Sequence, residues 1–383
     1  MEWQGRTTPL TVFTIAPPWW TVWLRSVWGS YHALRRIRRS RLMRRLERGG
    51  DVSPLAKLSS VSFAHWSLFN RVPTDDPSAP FQRLPFHYHL FQSNYSGAHD
   101  QYIESFALAL PWLMKLLWAG APGVPGPWPV VPFQRWISDN NHVPAHYYSA
   151  YPHGSTRMVK TALELQRRFD AFSPRAADLE PSAFAEHYDR FLGRVERSIA
   201  QPEPPGLPPE PGPGLTTLTR IRDGHQGQLL AELEGLPTGS ESPFALIGGT
   251  HFGRWVIVPY LADRRGRRVS PASYLLFSAE FDGSVSEYLE RLCTGGDGAP
   301  GRIWSHCTGY PGDVAEYLPE FLLEHRLEPG HSFAAFPDAT VDRVRESLHL
   351  RAQLLDFAAD HAGSDDAPAL QRAWRERFPS AVG

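Results

Sequence analysis

The chain has 383 residues, enough for two ordinary domains with a substantial core, and its 42% hydrophobic content excludes a disordered chain. Its 39 Lys and Arg residues balance 40 Asp and Glu residues, so no overall positive field attracts nucleic acid, and nucleic acid is not an expected partner. The cysteines, Cys293 and Cys307, are too few for a disulfide framework and fit the reducing cytoplasm.

The first half of the chain is predicted to form four strands with helices between them. The strands are expected at Leu10–Ile15, Ser60–Asn70, Phe86–Tyr95 and Ala145–Tyr151. Helices are expected from Ser96 through the apolar run that ends near residue 121, at Thr156–Phe172 and at Pro181–Ala200. No apolar run reaches the ~20 residues that span a bilayer, so we expect no transmembrane helix.

Residues 19–48 stand out because tryptophans and other apolar residues recur there at helical spacing beside nine arginines and a single acid, Glu47. A helix with an aromatic face and an arginine-rich face is typical of a helix that lies in the membrane interface, with its arginines on anionic lipid. The same pattern also fits a long core helix with a solvated basic face. The sequence leaves both interpretations open.

A proline-rich segment, residues 201–214, is predicted to be a stiff linker that separates an N-terminal part, 1–200, from a C-terminal part, 215–383. The C-terminal part repeats the order of the first. Its strands are expected at Leu215–Ile221, Thr250–Pro259, Ser273–Phe281 and Ser332–Phe336, and its helices at Gln226–Gly235, Ser284–Leu292, Val314–His325 and Thr340–Ala359. Gly301–Pro311 is expected to be irregular or extended.

The two parts also match residue by residue in four blocks that occur in the same order. The most informative block pairs Phe-Ala-His-Trp at 63–66 with Phe-Gly-Arg-Trp at 252–255, and the last block pairs Tyr151-Pro152 with Phe336-Pro337. An internal duplication of this kind is stronger evidence for the fold than any single motif. Each copy reads strand, helix, strand, strand, helix, strand, which is the ferredoxin-like order. The fold prediction is therefore α+β, with two tandem ferredoxin-like repeats that bury their sheets against each other in a fused dimeric α+β barrel.

The chain resembles the dimeric α+β barrel superfamily in its fused form, which includes chlorite dismutases, dye-decolourising peroxidases and aldoxime dehydratases. It is most similar to an actinobacterial group that carries Thr-His-Phe-x-Arg-Trp and Leu-Phe-x-x-x-Phe-Asp-Gly, found here at 250–255 and 276–283. The resemblance implies haem in the C-terminal repeat, with a histidine iron ligand and a distal Arg or Asp. Asp282-Gly283 matches part of the Gly-x-x-Asp-Gly motif of the dye-decolourising enzymes, but Ala279 replaces the leading glycine.

The candidate site residues are those at which the C-terminal copy differs from the N-terminal copy. Arg254 and Asp282 are the catalytic candidates, and His251 or His306 is the candidate haem-iron ligand. His251 and Arg254 lie on opposite faces of a regular strand, so they can share a pocket only if a bulge near Gly253 shifts the register. Other roles stay open: Arg254 and Asp282 can pair structurally, and Asp282 can cap the helix that follows it.

Three functions remain in view. The first is a haem-dependent peroxidase-like or dehydratase-like enzyme, an oxidoreductase or lyase, that acts on a small apolar molecule in the C-terminal repeat. The second is a cofactor-free protein that binds a hydrophobic or lipid-like ligand at the membrane surface through residues 19–48. The third is an interaction scaffold. We expect a cytoplasmic protein, peripheral on the inner face of the membrane in the second case, and we keep a homo-oligomer among its expected partners.

Overall fold

A computed structural model describes residues 7–26, 29, 60–176, 178–200, 214–263, 265–270, 272–312, 317–364 and 366–379. The chain forms two compact units: a sheet unit, Met1–Ser155 with Gly206–Val341, and a helical unit, Thr156–Pro205 with Asp342–Gly383. Of the predicted basic helix, only residues 19–26 and 29 lie within this description. The predicted linker lies outside it except for Gly214.

The sheet unit contains two four-stranded antiparallel sheets, which confirms the α+β class. Its strands are β1 (Thr7–Ala16), β2 (Val61–Pro73), β3 (Phe81–Ser96), β4 (His146–Ser149), β5 (Gly214–Arg220), β6 (Thr250–Val258), β9 (Tyr274–Phe281) and β10 (Pro329–Ala334), with a small hairpin of β7 (Leu261–Ala262) and β8 (Arg268–Ser270) between β6 and β9. The first sheet has the order β1-β3-β2-β10 and the second β5-β9-β6-β4.

The two halves of the chain exchange their last strands. Each sheet consists of three strands from one half and the fourth strand of the other half, which pairs with the second strand of the receiving sheet. His331 of β10 lies opposite Trp66, and His146 of β4 lies opposite Trp255. The exchange ties the two halves together by backbone hydrogen bonds as well as by packing.

Local details recur at matching positions of the two sheets. A bulge interrupts the register between Val61 and Phe63 in β2, and another does so between Thr250 and Phe252 in β6. The rings of Tyr95 and Tyr102 stack with centroids 3.8 Å apart, and those of Phe281 and Tyr288 stack at the same distance. The similarity that the sequence shows in the two halves is thus also a similarity of backbone and packing.

An apolar layer and a polar layer lie between the two sheets. They form because the inward-facing side chains of these strands are apolar at one end and polar at the other. The apolar layer includes Phe13, Phe69, Leu90, Leu218, Val256 and Leu276. The polar layer consists of buried side chains at the other end of the same strands: Thr11, His65, Gln92, Asn94, Tyr147, Thr216, Arg254, Ser278 and Glu280. Arg254, Tyr147 and Thr216 find hydrogen-bond partners on the other sheet. Five buried polar atoms of the layer have no partner among the described residues: Nε2 of His65, Nε2 of Gln92, Nδ2 of Asn94, Nε of Arg254 and Oε2 of Glu280.

Helices cover the outer faces of both sheets. A helix of residues 18–26 (α1), α2 (His99–Ala109), α3 (Pro111–Leu117) and α4 (Val130–Asp139) share one apolar cluster with the first sheet. The other half contributes α7 (Gln226–Glu234), α8 (Pro243–Ile247), α9 (Val285–Thr294), α10 (Ala299–Ser305) and α11 (Leu318–Glu324). The rings of Phe244, Trp255, Phe277 and Trp304 are in contact there.

Two predicted elements need correction. The single helix expected from residue 96 to about 121 is two helices, because Pro111 cannot donate a helical hydrogen bond and begins α3 instead. Gly301–Pro311 was expected to be irregular, yet α10 extends to Ser305. Pro300 is favourable in the first turn of that helix, and Ile303 and Trp304 are buried beneath it.

The helical unit comprises α5 (Thr156–Ala176), α6 (Pro181–Ala200), α12 (Val341–Asp360, of which Asp342 onward belongs to this unit) and α13 (Ala367–Arg377). Trp374 is buried at its centre and contacts the rings of Phe184, Tyr188, Phe357 and Phe378. These aromatic contacts provide the apolar core of a small bundle.

Candidate functional site

His251 lies at the bulge of β6, where the register shifts between Thr250 and Phe252. A bulge near Gly253 was the condition for His251 and Arg254 to share a pocket, and the strand has its bulge at His251. His251 turns toward Asp282 and Tyr151, whereas Arg254, beyond the bulge, keeps its place in the regular strand and faces the other sheet. His251 and Arg254 therefore have different hydrogen-bond partners: His251 bonds to Tyr151 and Asp282, and Arg254 bonds to β1 and β3.

A chain of hydrogen bonds joins Tyr151, His251 and Asp282. The Tyr151 hydroxyl lies 2.9 Å from Nδ1 of His251, and Nε2 of the same ring lies 3.0 Å from Oδ1 of Asp282. An ionised carboxylate only accepts hydrogen bonds, so Nε2 carries the proton that it donates to Asp282. In the neutral ring Nδ1 is then an acceptor, and Tyr151 donates to it.

Asp282 is fixed from several sides. Its Oδ2 accepts a hydrogen bond of 2.9 Å from the backbone N–H of Val341, and Arg291 donates to its backbone carbonyl oxygen at 2.9 Å. The helix that follows it, α9, is capped by Ser284 and Glu287 in a capping box, so the proposed capping role of Asp282 for that helix is taken by Ser284. Asp282 instead orients His251.

The Tyr151–His251–Asp282 chain runs from the interior to the surface. Tyr151 and His251 are buried, and the Asp282 side chain is 24% exposed. Burial raises the pKa of the Tyr151 hydroxyl well above its ordinary value, so the phenol stays protonated and acts as a donor. The arrangement holds His251 in one tautomer, with its proton on Nε2.

Arg254 is fully buried in the polar layer, and its donors reach the other sheet. It donates to the carbonyl oxygen of Leu10 at 2.8 Å, to Oγ1 of Thr11 at 3.1 Å, to the carbonyl oxygen of Ser93 at 3.2 Å and to Oδ1 of Asn94. Its bonding partners are therefore neutral oxygens, and Asp282, one of the anions expected beside it, bonds to His251.

Burial lowers the pKa of Arg254 from its ordinary value, and the negative charge of Glu280 opposes this effect. A guanidinium stays charged in proteins even so. Glu280 lies at the position of β9 that matches Asn94 of β3, because these residues are the register partners of Phe252 and Phe63. It lies 3.2 Å from Nε2 of His65, the residue that matches Arg254 in the first copy.

The two sheets are thus linked at two matching places, by a hydrogen bond from Arg254 to Asn94 and by a close approach of His65 Nε2 to Glu280 that lacks hydrogen-bond geometry. In each link a residue of the second strand of one copy reaches a residue of the third strand of the other copy. The four buried hydrogen bonds from Arg254 to β1 and β3 indicate that it holds the two sheets together. This structural role accounts for its burial without a substrate.

His306 is placed far along the chain from this group, at the end of α10. Its Nδ1 lies 3.1 Å from Nδ1 of His225, so one ring must donate and the other must accept. Burial, followed by the charge of His225, lowers the pKa of His306 from its ordinary value. Within the described parts of the chain, no group of three or more His, Cys, Asp or Glu residues could hold a metal ion.

The placement of His251 does not fit an iron ligand. A haem ligand needs one ring nitrogen free for the iron, and both nitrogens of His251 already have partners, Tyr151 and Asp282. At the alternative iron ligand, His306, Nδ1 is already paired with Nδ1 of His225.

Large apolar side chains are exposed on the helices of the first sheet. They are Trp19, Val22 and Trp23 of α1, Leu108 of α2, Trp112 of α3, and Trp128 and Val131 at the start of α4. We call these seven residues the aromatic surface. The helices that carry it belong to one layer, since they share one apolar cluster and Trp19 packs beside Gly120, between α3 and α4.

Tyr151 and Asn94 are the site residues that the sequence analysis did not single out. Tyr151 matches Phe336 in the other copy, so comparison of the copies gives a signal for it: a hydroxyl present in only one of them. Asn94 matches the acid Glu280, and this difference marks the same cross-sheet link.

No protein-family model matches the chain, and no curated protein matches it either. In the part of the chain that the structure describes, every helix is too short or too polar to cross a membrane.

Proposed function

We propose that the protein binds the surface of an anionic membrane and takes up a hydrophobic or lipid-like ligand there without a cofactor. The aromatic surface carries this proposal. Trp19 and Trp112 are 65% and 61% exposed, and Trp128 is 51% exposed, which is unusual for large rings in a protein that meets only water. Tryptophan is the residue that prefers the headgroup level of a bilayer.

Helix α1 supports the proposal because it is apolar on both sides. Trp20 and Leu24 are buried against the first sheet, while Trp19, Val22 and Trp23 face outward. A surface helix with a purely structural role has a polar outer face. The chain continues from α1 into the arginine-rich residues up to 48, whose charge can add about 1 kcal/mol of attraction to anionic lipid for each arginine near the surface.

Sedimentation with vesicles tests the proposal. Vesicles with 30% phosphatidylserine should carry the wild-type protein down, and the variant Trp19→Ser/Trp112→Ser should bind about thirtyfold more weakly. The estimate assumes about 1 kcal/mol for each partly inserted ring, with about 1.4 kcal/mol per tenfold change in affinity. Leu246→Ser/Leu323→Ser is the matched control, because these exposed leucines lie outside the aromatic surface. Equal binding by both variants would refute the proposal.

The arginines are tested separately, by replacing Arg35, Arg36, Arg38 and Arg39 with Gln. We expect weaker sedimentation at low salt and little difference from the wild type at high salt, since salt screens the attraction. Unchanged sedimentation at low salt would show that these arginines do not contribute.

We further propose that the sheet unit is a fused pair of ferredoxin-like repeats arranged as a dimeric α+β barrel. The matching bulges, stacked rings and cross-sheet links support it. The haem-dependent enzyme that the resemblance implies stays a hypothesis, and the hydrogen bonds at both nitrogens of His251 favour the cofactor-free alternative.

A further inference from the structure

A pocket of about 250 Å³ opens at the end of the sheet unit where the apolar layer lies. Its floor includes Phe69, Leu218 and Leu327, which are buried members of that layer. The volume is just below the usual range of small-molecule sites, about 300–1,000 Å³, so it suits a small ligand. An apolar floor of this kind favours a hydrocarbon group.

Arginines surround the mouth of this pocket. They are Arg25 of α1, Arg71 of β2 and Arg326, which follows α11. Arg71 is held over the ring of Phe81, 5.2 Å from its centroid, which limits the conformations of its guanidinium.

Arg326 has hydrogen-bonding capacity to spare. Its Nε is buried and has no hydrogen-bond partner among the described residues, and the oxygen of Glu328 nearest to it is 3.7 Å away. A guanidinium placed in this way binds a carboxylate or phosphate through charge-assisted hydrogen bonds.

The two glutamates at the mouth of the pocket are exposed, and the histidine there already donates a hydrogen bond. Glu324 and Glu328 face solvent, where water screens their charge. Nδ1 of His325 donates to the carbonyl oxygen of Phe321 at 2.7 Å. The three arginines outnumber the two acids, so the mouth favours a negative headgroup.

We infer that this pocket binds a small amphiphile with an acidic headgroup, with its chain on the apolar floor and its carboxylate on Arg71 and Arg326. The inference rests on the proposed function, because it names the ligand class that a membrane-surface protein of this kind takes up. Helix α1 connects the two sites: Trp19 and Trp23 belong to the aromatic surface, and Arg25 reaches the pocket. A ligand that leaves the membrane beside α1 meets the pocket on the same helix.

Calorimetric titration of the full chain with decanoate, in the absence of vesicles, tests the inference. Decanoate should bind, decanol should bind at least about tenfold more weakly, and inorganic phosphate should not compete, because both the charge and the chain contribute. Equal binding of decanol, or displacement by phosphate alone, would overturn the assignment. So would the absence of decanoate binding.

The variant Arg71→Gln/Arg326→Gln should lose decanoate binding by at least about tenfold. Arg268→Gln is the matched control, since Arg268 also lies over a ring, that of Tyr260 at 4.7 Å, but outside the pocket. Circular dichroism of each variant establishes that it is folded. Decanoate binding by the double variant at the wild-type level would overturn the inference.

Sedimentation with vesicles separates this result from the proposed function. If the pocket variant sediments as the wild type does but no longer binds decanoate, the pocket assignment is supported independently. If wild-type protein sediments but does not bind decanoate, the pocket assignment fails while membrane binding stands.

Discussion

Replacement of Arg254 by Met tests the role of the polar layer most sharply. Methionine keeps much of the apolar volume of the side chain but removes the four hydrogen bonds that Arg254 donates to Leu10, Thr11, Ser93 and Asn94. The polar oxygens stay buried, and removal of one partner from a buried charged network costs about 3–5 kcal/mol. The protein should lose that amount of free energy of unfolding.

Urea denaturation followed by circular dichroism and tryptophan fluorescence measures the loss, with agreement between the two probes as the check on cooperative unfolding. Arg268→Met is the control and should change the free energy of unfolding by no more than about 0.5 kcal/mol. Asn94→Leu in the Arg254→Met background should restore part of the stability, with a coupling of about 0.5–3 kcal/mol. A loss below about 1 kcal/mol in Arg254→Met would refute a linking role for Arg254.

Three further outcomes follow from buried groups. Gly253→Ala places a Cβ against the ring of Phe244, so it should destabilise the protein by about 1–3 kcal/mol in thermal unfolding. Gly227→Ala is the control, because its Cβ enters open space and should cause no loss. Equal melting temperatures of the two variants would contradict this packing. Burial lowers the pKa of His89 to about 3, so the unfolded chain gains a proton between pH 7 and pH 5 that the folded chain does not. His89 alone should therefore lower the free energy of unfolding by about 2 kcal/mol over this interval, and His89→Gln should remove this part of the pH dependence. An unchanged pH dependence in the variant would contradict this contribution. Protein from haem-supplemented cells should show no Soret band, and a band lost in His251→Ala would overturn our interpretation of that histidine.

The sequence predicted the sheet unit well where the signal is local. Alternating apolar residues and turn-forming residues marked the strands, and the match of Phe63–Trp66 to Phe252–Trp255 marked the equivalent positions of the two halves. Two predicted elements were wrong at prolines. Pro111 divides a predicted helix, and Pro300 lies in the first turn of a helix in a segment expected to be irregular.

The sequence alone does not predict which residues contact the site residues. Arg254 and Asn94 are 160 residues apart, and Tyr151 and His251 are 100 residues apart. Their contacts depend on how the two sheets pack and on the exchange of the fourth strands, which no local pattern specifies. A bulge at His251 rather than near Gly253 decides which way the side chains point, and a shift of one residue reverses a strand's faces.

Matching positions in the two halves of the chain separate the residues that both halves share from those that one half has alone. Trp66 and Trp255 both pack in their sheets and serve the fold. His65 and Arg254 differ in type, yet both link the sheets, so a difference between copies does not by itself mark a catalytic group.

A spin label on α1 reports whether the aromatic surface meets the membrane. A label at Val22→Cys, in a Cys293→Ala background, reports its surroundings through collisions with oxygen and with a polar nickel complex. On addition of anionic vesicles, oxygen collisions should increase and nickel collisions should decrease at Val22, which is 67% exposed, while a label at Leu246→Cys should show no change. Collision rates at Val22 that stay the same with vesicles would contradict contact between the aromatic surface and the membrane.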